Sequence, residues 1–322
     1  MERKNNIILK FIAEAKGPVG SKEIATYFKT LGIEMSERTV RYHLKMLNDQ
    51  GLLKVFWKEG RMLTKKGQEE IENGMVLEKI GLVSSKIEAL CYQMDFNLAE
   101  RKGRVILNIS FIHKNEFGQA VKIMREVFLK KMSMGKKMLI IKGGEEIGGS
   151  LVPKGKIGVG TLCAINLNAM LLKESIPVES KFGGVLQIEN NCPHRFTDLI
   201  NYSASTLDPH EIFIRSKMTS VREAAKGSGK ILAGLREIPM AALEKAKEIV
   251  AKVETIGLGN LLYLGKPEQP VLGMPVGIGR VGLVIPGGLN PIAAVEEWGI
   301  ETESKALSAL IDYNKLVDFS AV

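Results

Sequence analysis

The chain has 322 residues, 45% hydrophobic and 25% charged, an ordinary composition for a globular protein of two or three domains. No run is long and apolar enough to span a bilayer. The opening MERKNNIILK carries charge on both sides of a very short apolar stretch, so no membrane span or signal peptide is expected and the chain is assigned to the cytoplasm. The formal net charge is +9, and residues 1–66 alone hold 14 Lys/Arg against 7 Asp/Glu. A basic excess concentrated in the first fifth of the chain is the electrostatic footprint of a surface for phosphate backbones.

Residues 5–16 place Ile8, Leu9, Ile12 and Ala15 at helical spacing, and Gly17-Pro18 ends that helix. A second helix follows, with Ser21 expected as its cap and Ile24, Tyr27, Phe28 and Leu31 as its apolar positions. Ser36 caps a third helix that runs to about Asp49, with Gly51 closing it. In this third helix Val40, Leu44 and Leu47 form a core stripe. Arg38, Arg41, Tyr42 and Lys45 share the opposite face. Two guanidiniums, a phenol and an ammonium on one exposed face suit the major groove, where Arg reads guanine edges and Lys or Tyr meets phosphates. Ser36 and Thr39, at the helix start, join the expected DNA-binding set. His43 lies between core and exposed face and is read as structural.

Residues 51–57 and 62–64 then read as two strands around the turn Lys58-Glu59-Gly60-Arg61, followed by a helix capped by Thr64. Lys58 and Arg61 are expected against a phosphate or the minor groove. Helix, helix-turn-helix and hairpin in this order make a winged helix-turn-helix, assigned to residues 1–75.

Residues 76–102 are expected to form a helical linker and residues 103–322 an α/β domain with an internal duplication. A strand at 104–111, a helix at 116–134, a strand at 138–142 and a Gly/Val-rich segment at 157–167 have counterparts at 230–235, 241–256, 260–265 and 276–289. Gly103-Arg104-Val105-Ile106-Leu107 aligns with Gly229-Lys230-Ile231-Leu232-Ala233, and Ile176 to Lys181 with Ile300 to Lys305. The repeats span about 103–181 and 229–305. The cleft between two such units is a usual ligand site. Gly158-x-Gly160 lacks the third glycine of a dinucleotide loop, and no phosphate-loop motif occurs.

The joining segment, 182–228, holds Arg195, Arg215, Ser216, Lys217 and Thr219, cations beside hydroxyls that suit a carboxylate or phosphate ligand. Residues 213–220 are read as extended, so that Arg215, Lys217 and Thr219 share one side and Ser216 takes the other. Arg236 and Arg280 of the second repeat complete the expected ligand set. Cys91, Cys163 and Cys192 are scattered, which argues for buried free thiols and against a disulfide framework. Cys192-Pro193-His194 has no second ligand pair, so no metal is expected. No nucleophile elbow, catalytic triad order or paired-carboxylate pattern marks an enzyme.

Four segments carry a family resemblance: GLVSSKIEALCYQMDFNL (81–98), SIPVESKFGGVLQIE (175–189), RFTDLINYSASTLDPHEIFIRSKMTSV (195–221) and GRVGLVIPGGLNPIAA (279–294). They resemble the effector domain of the archaeal nitrogen-regulatory repressor family, NrpR. With the winged helix in front, the resemblance covers nearly the whole chain. It implies a repressor of nitrogen-assimilation genes, such as those for nitrogenase and glutamine synthetase. The operator would be palindromic double-stranded DNA bound by a dimer, and 2-oxoglutarate would be the releasing effector, with no cofactor. Some members of that family carry two effector domains in tandem and this chain has one. It would then act as a homo-oligomer or with a separate effector-domain protein. Two other readings compete: a DNA-binding scaffold whose C-terminal part only oligomerises, and a regulator fused to a metabolic enzyme.

Overall fold

A computed structural model describes residues 2–15, 17–57, 59–73, 82–148 and 150–322. Two compact units divide the chain, Met1–Lys79 and Ile80–Val322.

In the first unit α1 (Glu2–Glu14), α2 (Ser21–Thr30) and α3 (Glu37–Asp49) precede the hairpin β1 (Leu53–Phe56) and β2 (Gly60–Leu63), and α4 (Lys65–Asn73) closes the order. The apolar stripes read from the sequence meet in one core: Ile8, Leu9 and Ile12 of α1, Ile24 and Phe28 of α2, and Val40, Leu44 and Leu47 of α3 are all buried. The cap of α2 is Gly20 and not Ser21. The Gly20 N–H donates to Glu23 Oε2 at 2.8 Å, while the Ser21 hydroxyl donates to Glu37 Oε1 at 2.9 Å. The wing is fixed at its root, because Val19 and Arg61 exchange backbone hydrogen bonds of 2.9 and 3.0 Å. Gly60 at φ +134° permits this approach; a Cβ there would lie 2.4 Å from the Val19 carbonyl oxygen.

The second unit opens with α5 (Leu82–Gln93). Residues 76–102 were expected to be a linker. In the part described, Val83, Ile87 and Cys91 of α5, with Met94 and Phe96, are buried in the large core of this unit. Apolar residues at i, i+4 and i+8 give the helix a face to bury, and the core takes it.

The first repeat contains β3 (Arg104–His113), α6 (Phe117–Leu129), β4 (Lys137–Lys142), a small β5–β6 hairpin (Glu146–Ile147, Ser150–Leu151), β7 (Lys156–Leu162) and α7 (Ile165–Lys173). Next come the long hairpin strands β8 (Glu179–Glu189) and β9 (Cys192–Asn201), then α8 (Pro209–Arg215) and α9 (Val221–Lys226). The second repeat contains β10 (Gly229–Pro239), α10 (Leu243–Thr255), β11 (Tyr263–Leu264), β12 (Arg280–Pro286), α11 (Asn290–Glu297) and β13 (Thr302–Asp312), before the short β14 (Val317–Asp318).

Two five-stranded sheets result, ordered β13-β3-β7-β4-β14 and β11-β12-β10-β8-β9. The order β3-β7-β4 recurs as β10-β12-β11. Each repeat also lends its last strand to the other sheet. β8 pairs with β10, and β13 pairs with β3, both antiparallel. The sequence places the ends of the repeats at about 181 and 305. Their last strands run on to Glu189 and Asp312, because each finds its ladder partner in the other copy.

The joining segment also differs from expectation. Its first strand, β8, starts ahead of it at Glu179 and turns into β9 through Asn190 and Asn191, at φ +51° and +62°. Asparagine tolerates that left-handed conformation at a tight hairpin turn. Residues 213–220 are not an extended run. Asp208 caps α8 through its side chain and Pro209 takes the first helical turn, so Phe213 to Arg215 are helical and Lys217 follows at φ +53°. Cys91 and Cys163 are buried free thiols, but Cys192 is exposed on the edge strand β9.

Candidate functional site

On α3, Ser36 accepts from the Thr39 N–H at 3.1 Å as the helix cap. Val40, His43, Leu44 and Leu47 are buried. Arg38, Thr39, Arg41, Tyr42 and Lys45 are exposed. Arg41 is held in place, its Nη2 donating to Glu37 Oε1 at 2.6 Å and its Nε to Ser21 Oγ at 3.3 Å. The Ser21 hydroxyl and Arg41 keep the Glu37 carboxyl below its ordinary pKa. His43 is structural in its surroundings: Nδ1 lies 2.6 Å from Asn5 Oδ1, and burial lowers its pKa, aided by Lys4. On the wing, Arg61 is half-buried, and its Nε is buried with no hydrogen-bond partner. Lys58 lies outside the described residues.

The residues expected to hold a small ligand are not gathered at one place. Arg195 is exposed on β9, donating from Nε to Gln187 Oε1 at 2.9 Å. Arg215, Ser216 and Lys217 are exposed at the end of α8. Thr219 donates to Glu297 Oε1 at 2.8 Å. That carboxylate also accepts the Val221 and Arg222 N–H groups at 2.8 and 3.0 Å, and so caps α9 from α11. Arg280 is half-buried at the start of β12.

Arg236 stands apart from these. It is 1% exposed and lines a small, partly open cavity of ≈ 20 Å³ within the second unit. The walls come from both repeats, from the segment between them and from Ile87 of α5. Asn108, Cys163, Ala164 and Ile165 belong to the first repeat, Gly288, Leu289 and Leu307 to the second, and Tyr202, Asp208 and His210 to the joining segment. The Arg236 Nη1 donates to the Leu235 carbonyl at 3.1 Å and, at the limit, to that of Phe182 at 3.5 Å. Its guanidinium carbon lies 5.0 Å from the centre of the Tyr202 ring. Its Nε has no partner, and among the described residues no carboxylate lies within ion-pair distance. Gly234 gives the side chain its space, since a Cβ there would lie 2.6 Å from Arg236 Nη1.

The rest of the lining is polar and constrained. Burial pushes the Tyr202 phenol and the Cys163 thiol up to about 12, the nearby guanidinium opposing it in both. Burial lowers His210, whose Nε2 lies 3.3 Å from the Ala233 carbonyl. Asp208 Oδ1 is engaged by the N–H groups of His210 and Glu211, at 2.9 and 3.3 Å. Opposite Asn108, β13 bulges through Ala306, Leu307 and Ser308. Leu307 sits there at φ +52°, its N–H donating to Asn108 Oδ1 at 3.2 Å. A leucine in the left-handed region is strained, and such strain concentrates at ligand clamps and switches. Neither α7 nor α11 has a side-chain cap at its start, and both starts border the cavity. Sequence reasoning named Arg236 for its apolar strand context. It missed Tyr202, Asn108 and Leu307, because a cavity lined by four separate parts of the chain leaves no local spacing.

Comparison with known proteins gives consistent matches. Residues 80–318 match the family described as NrpR regulatory domains NRD1 and 2, and residues 6–71 match the ribonuclease R winged-helix domain. The chain is 37% identical to the global nitrogen regulator NrpRI of Methanosarcina mazei, over 98% of each chain. It is 32% identical to the global nitrogen regulator NrpR of Methanococcus maripaludis, over 96% of this chain and 54% of that one. It therefore spans about half of that relative. A crystal structure of a nitrogen repressor-like protein from Methanococcus jannaschii superposes with a TM-score of 0.63 at 29% identity, over 73% of this chain and 97% of that one. With three-quarters of its length inside the regulatory-domain match and a winged helix ahead of it, the chain belongs to the NrpR family of nitrogen regulators.

Proposed function

We propose that the chain is a repressor of nitrogen-assimilation genes that binds a palindromic operator as a homodimer and is released by 2-oxoglutarate. The observation that carries the DNA-binding reading is the division of α3. Val40, Leu44 and Leu47 are spent on the core, while Arg38, Thr39, Arg41, Tyr42 and Lys45 are exposed together. A helix held by its own unit with a basic, hydrogen-bonding face left open is what a major-groove reader requires. The kinship with global nitrogen regulators supports nitrogen-assimilation promoters as the targets.

Release follows from linkage. An effector that prefers an arrangement with mis-spaced winged helices lowers operator affinity by the ratio of its affinities for the two arrangements. Half-sites one helical turn apart make that spacing a sensitive variable. A gel-shift with a nitrogen-assimilation promoter, titrated with 2-oxoglutarate, tests the reading. Specific binding in its absence and loss of the shifted band on its addition are expected. Binding that 2-oxoglutarate leaves unchanged would leave a regulator with some other effector, and conversion of 2-oxoglutarate by the purified protein would favour the enzyme reading.

A further inference from the structure

The largest apolar side chain of the winged unit is left outside its core. Trp57, in the turn of the wing, is 84% exposed, and Val55 and Met62 of the same hairpin are exposed as well. An indole in water forgoes the burial that aromatic side chains otherwise gain. Phe56 beside it has the Lys54 ammonium 5.7 Å from its ring centre. Trp57 has no ring or cation partner among the described residues, and its indole N–H has no acceptor there. The base of the hairpin, by contrast, is fixed. Leu52 and Leu53 are buried with Val40, Leu44 and Leu47 of α3. The Thr64 N–H donates to the Leu52 carbonyl at 3.0 Å, and the Val19–Arg61 pair ties β2 to the chain ahead of α2. The turn closes through the Glu59 N–H on the Phe56 carbonyl at 3.1 Å. The indole is therefore carried on a braced arm and loses little entropy when it meets a partner. Lys54, Lys58 and Arg61 against Glu59 give the hairpin a basic balance, which suits an anionic partner. The minor groove of DNA admits apolar side chains that wedge between base pairs, and its A·T pairs present only acceptors, which an indole N–H can meet.

We propose that Trp57 is a wedge: its indole enters the minor groove beside each operator half-site and stacks against a base step that opens easily, such as TA or CA/TG. The assignment rests on the reading of α3 as a major-groove reader, and it adds a contact of a different kind. α3 meets base edges and phosphates, whereas the indole responds to how readily a step deforms. Sequence preference then extends to base pairs outside those that α3 touches.

The test uses the full chain and the nitrogen-assimilation promoter of the gel-shift. Trp57→Ala is expected to bind it about 10-fold more weakly, and Trp57→Phe to recover most of that loss. No charge is removed, so the salt slope should stay as in wild type; Trp57 lies outside the core, so the unfolding temperature should stay as well. Replacing TA and CA/TG steps at the flanks with A-tract steps should weaken wild type and leave Trp57→Ala unmoved. In a Trp298→Phe background Trp57 is the sole tryptophan, and its quenching by acrylamide should fall when the promoter is added. The affinity comparison needs no change at Trp298 and decides alone should that variant fail to fold. Equal affinity of wild type and Trp57→Ala, or a flank effect of the same size in both, would overturn the wedge and leave the reading of α3 standing. Quenching that DNA leaves unchanged would overturn it too, as would protection that grows with protein concentration alone, which would place the indole against a second copy of the chain. No promoter binding by wild type would overturn the DNA-binding reading and the wedge with it.

Discussion

Asn166 and Asn290, in corresponding positions of the two repeats, clamp the same strand residue in the same way. The Asn166 side chain accepts from the Ile106 N–H at 2.8 Å and donates to the Ile106 carbonyl at 2.7 Å. Asn290 does the same to Leu232, at 2.7 and 2.9 Å. Both side chains are fully buried in the first turn of their helices, α7 and α11. Each amide pins a helix start to the first strand of its own repeat. Each also uses its second amide hydrogen, Asn166 on Cys163 and Asn290 on Met132 across the repeat boundary.

Replacing either asparagine with alanine strands a buried backbone N–H, while the carbonyl beside it keeps one donor, the Cys163 N–H on Ile106 or the Gly287 N–H on Leu232. Asn290→Ala and Asn166→Ala are each expected to cost about 2–4 kcal/mol. Asn290→Ala also frees the Met132 carbonyl of the other repeat, and should loosen the contact between repeats as well. Urea unfolding monitored by circular dichroism measures both. A loss below about 1 kcal/mol for both would mean that water replaces the amides without penalty.

On α3, Arg41→Ala is expected to weaken operator binding by about 1–3 kcal/mol and to relax specificity at one base position. Lys45→Ala should weaken binding to all sequences alike and lower the salt slope by about 1 if Lys45 meets a phosphate. Because Glu37 holds the Arg41 guanidinium, Glu37→Gln frees that group and keeps an acceptor for Ser21. Operator affinity of this variant shows whether the pairing presents Arg41 to the groove or withholds it. Unchanged affinity in both Arg38→Ala and Arg41→Ala would remove this face from recognition.

Glu297 joins α11 to α9 through three hydrogen bonds, from Thr219 Oγ1 and from the Val221 and Arg222 N–H groups. Glu297→Ala leaves the start of α9 without its acceptor and should destabilise the second unit by about 1–3 kcal/mol. Thr219→Val removes one of the three bonds and should cost less. Thermal unfolding of the two variants orders them; an equal effect would place the stabilisation in the Thr219 hydroxyl.

His43 makes the winged unit sensitive to acid. Burial lowers its pKa in the folded chain, so the unfolded chain takes the proton more readily. The stability it contributes is complete above the unfolded value, about 6.5, and is lost as pH falls from there toward the folded value. Trp57 lies in the winged unit and Trp298 in the other. In a Trp298→Phe background, the Trp57 fluorescence transition should therefore move to lower temperature between about pH 7.5 and pH 5.5. His43→Gln should reduce that shift. An identical pH response in both would assign the sensitivity to other groups.

The winged unit was legible in the sequence because its signals are local. Ser36 as a cap, the Val40-Leu44-Leu47 stripe and the basic positions between them all fall within one helix, and one period sorts them into core and open face. The order of strand and helix in each repeat was legible for the same reason, since each copy repeats its own pattern. What lay beyond the sequence was which strands pair. β8 and β13 read as the tails of their repeats, and only the tertiary fold makes them cross to the other sheet, where the ladder hydrogen bonds wait. The ligand set shows the same limit. Arg215, Lys217 and Thr219 look aligned in an extended chain, but the Asp208-Pro209 cap winds the segment into α8. Arg236, one cation among several in the sequence, becomes distinct only when Gly234 opens space beside it and distant parts of the chain close around it. Local spacing fixes helices and caps, whereas burial of a charge arises only from the packing of distant parts.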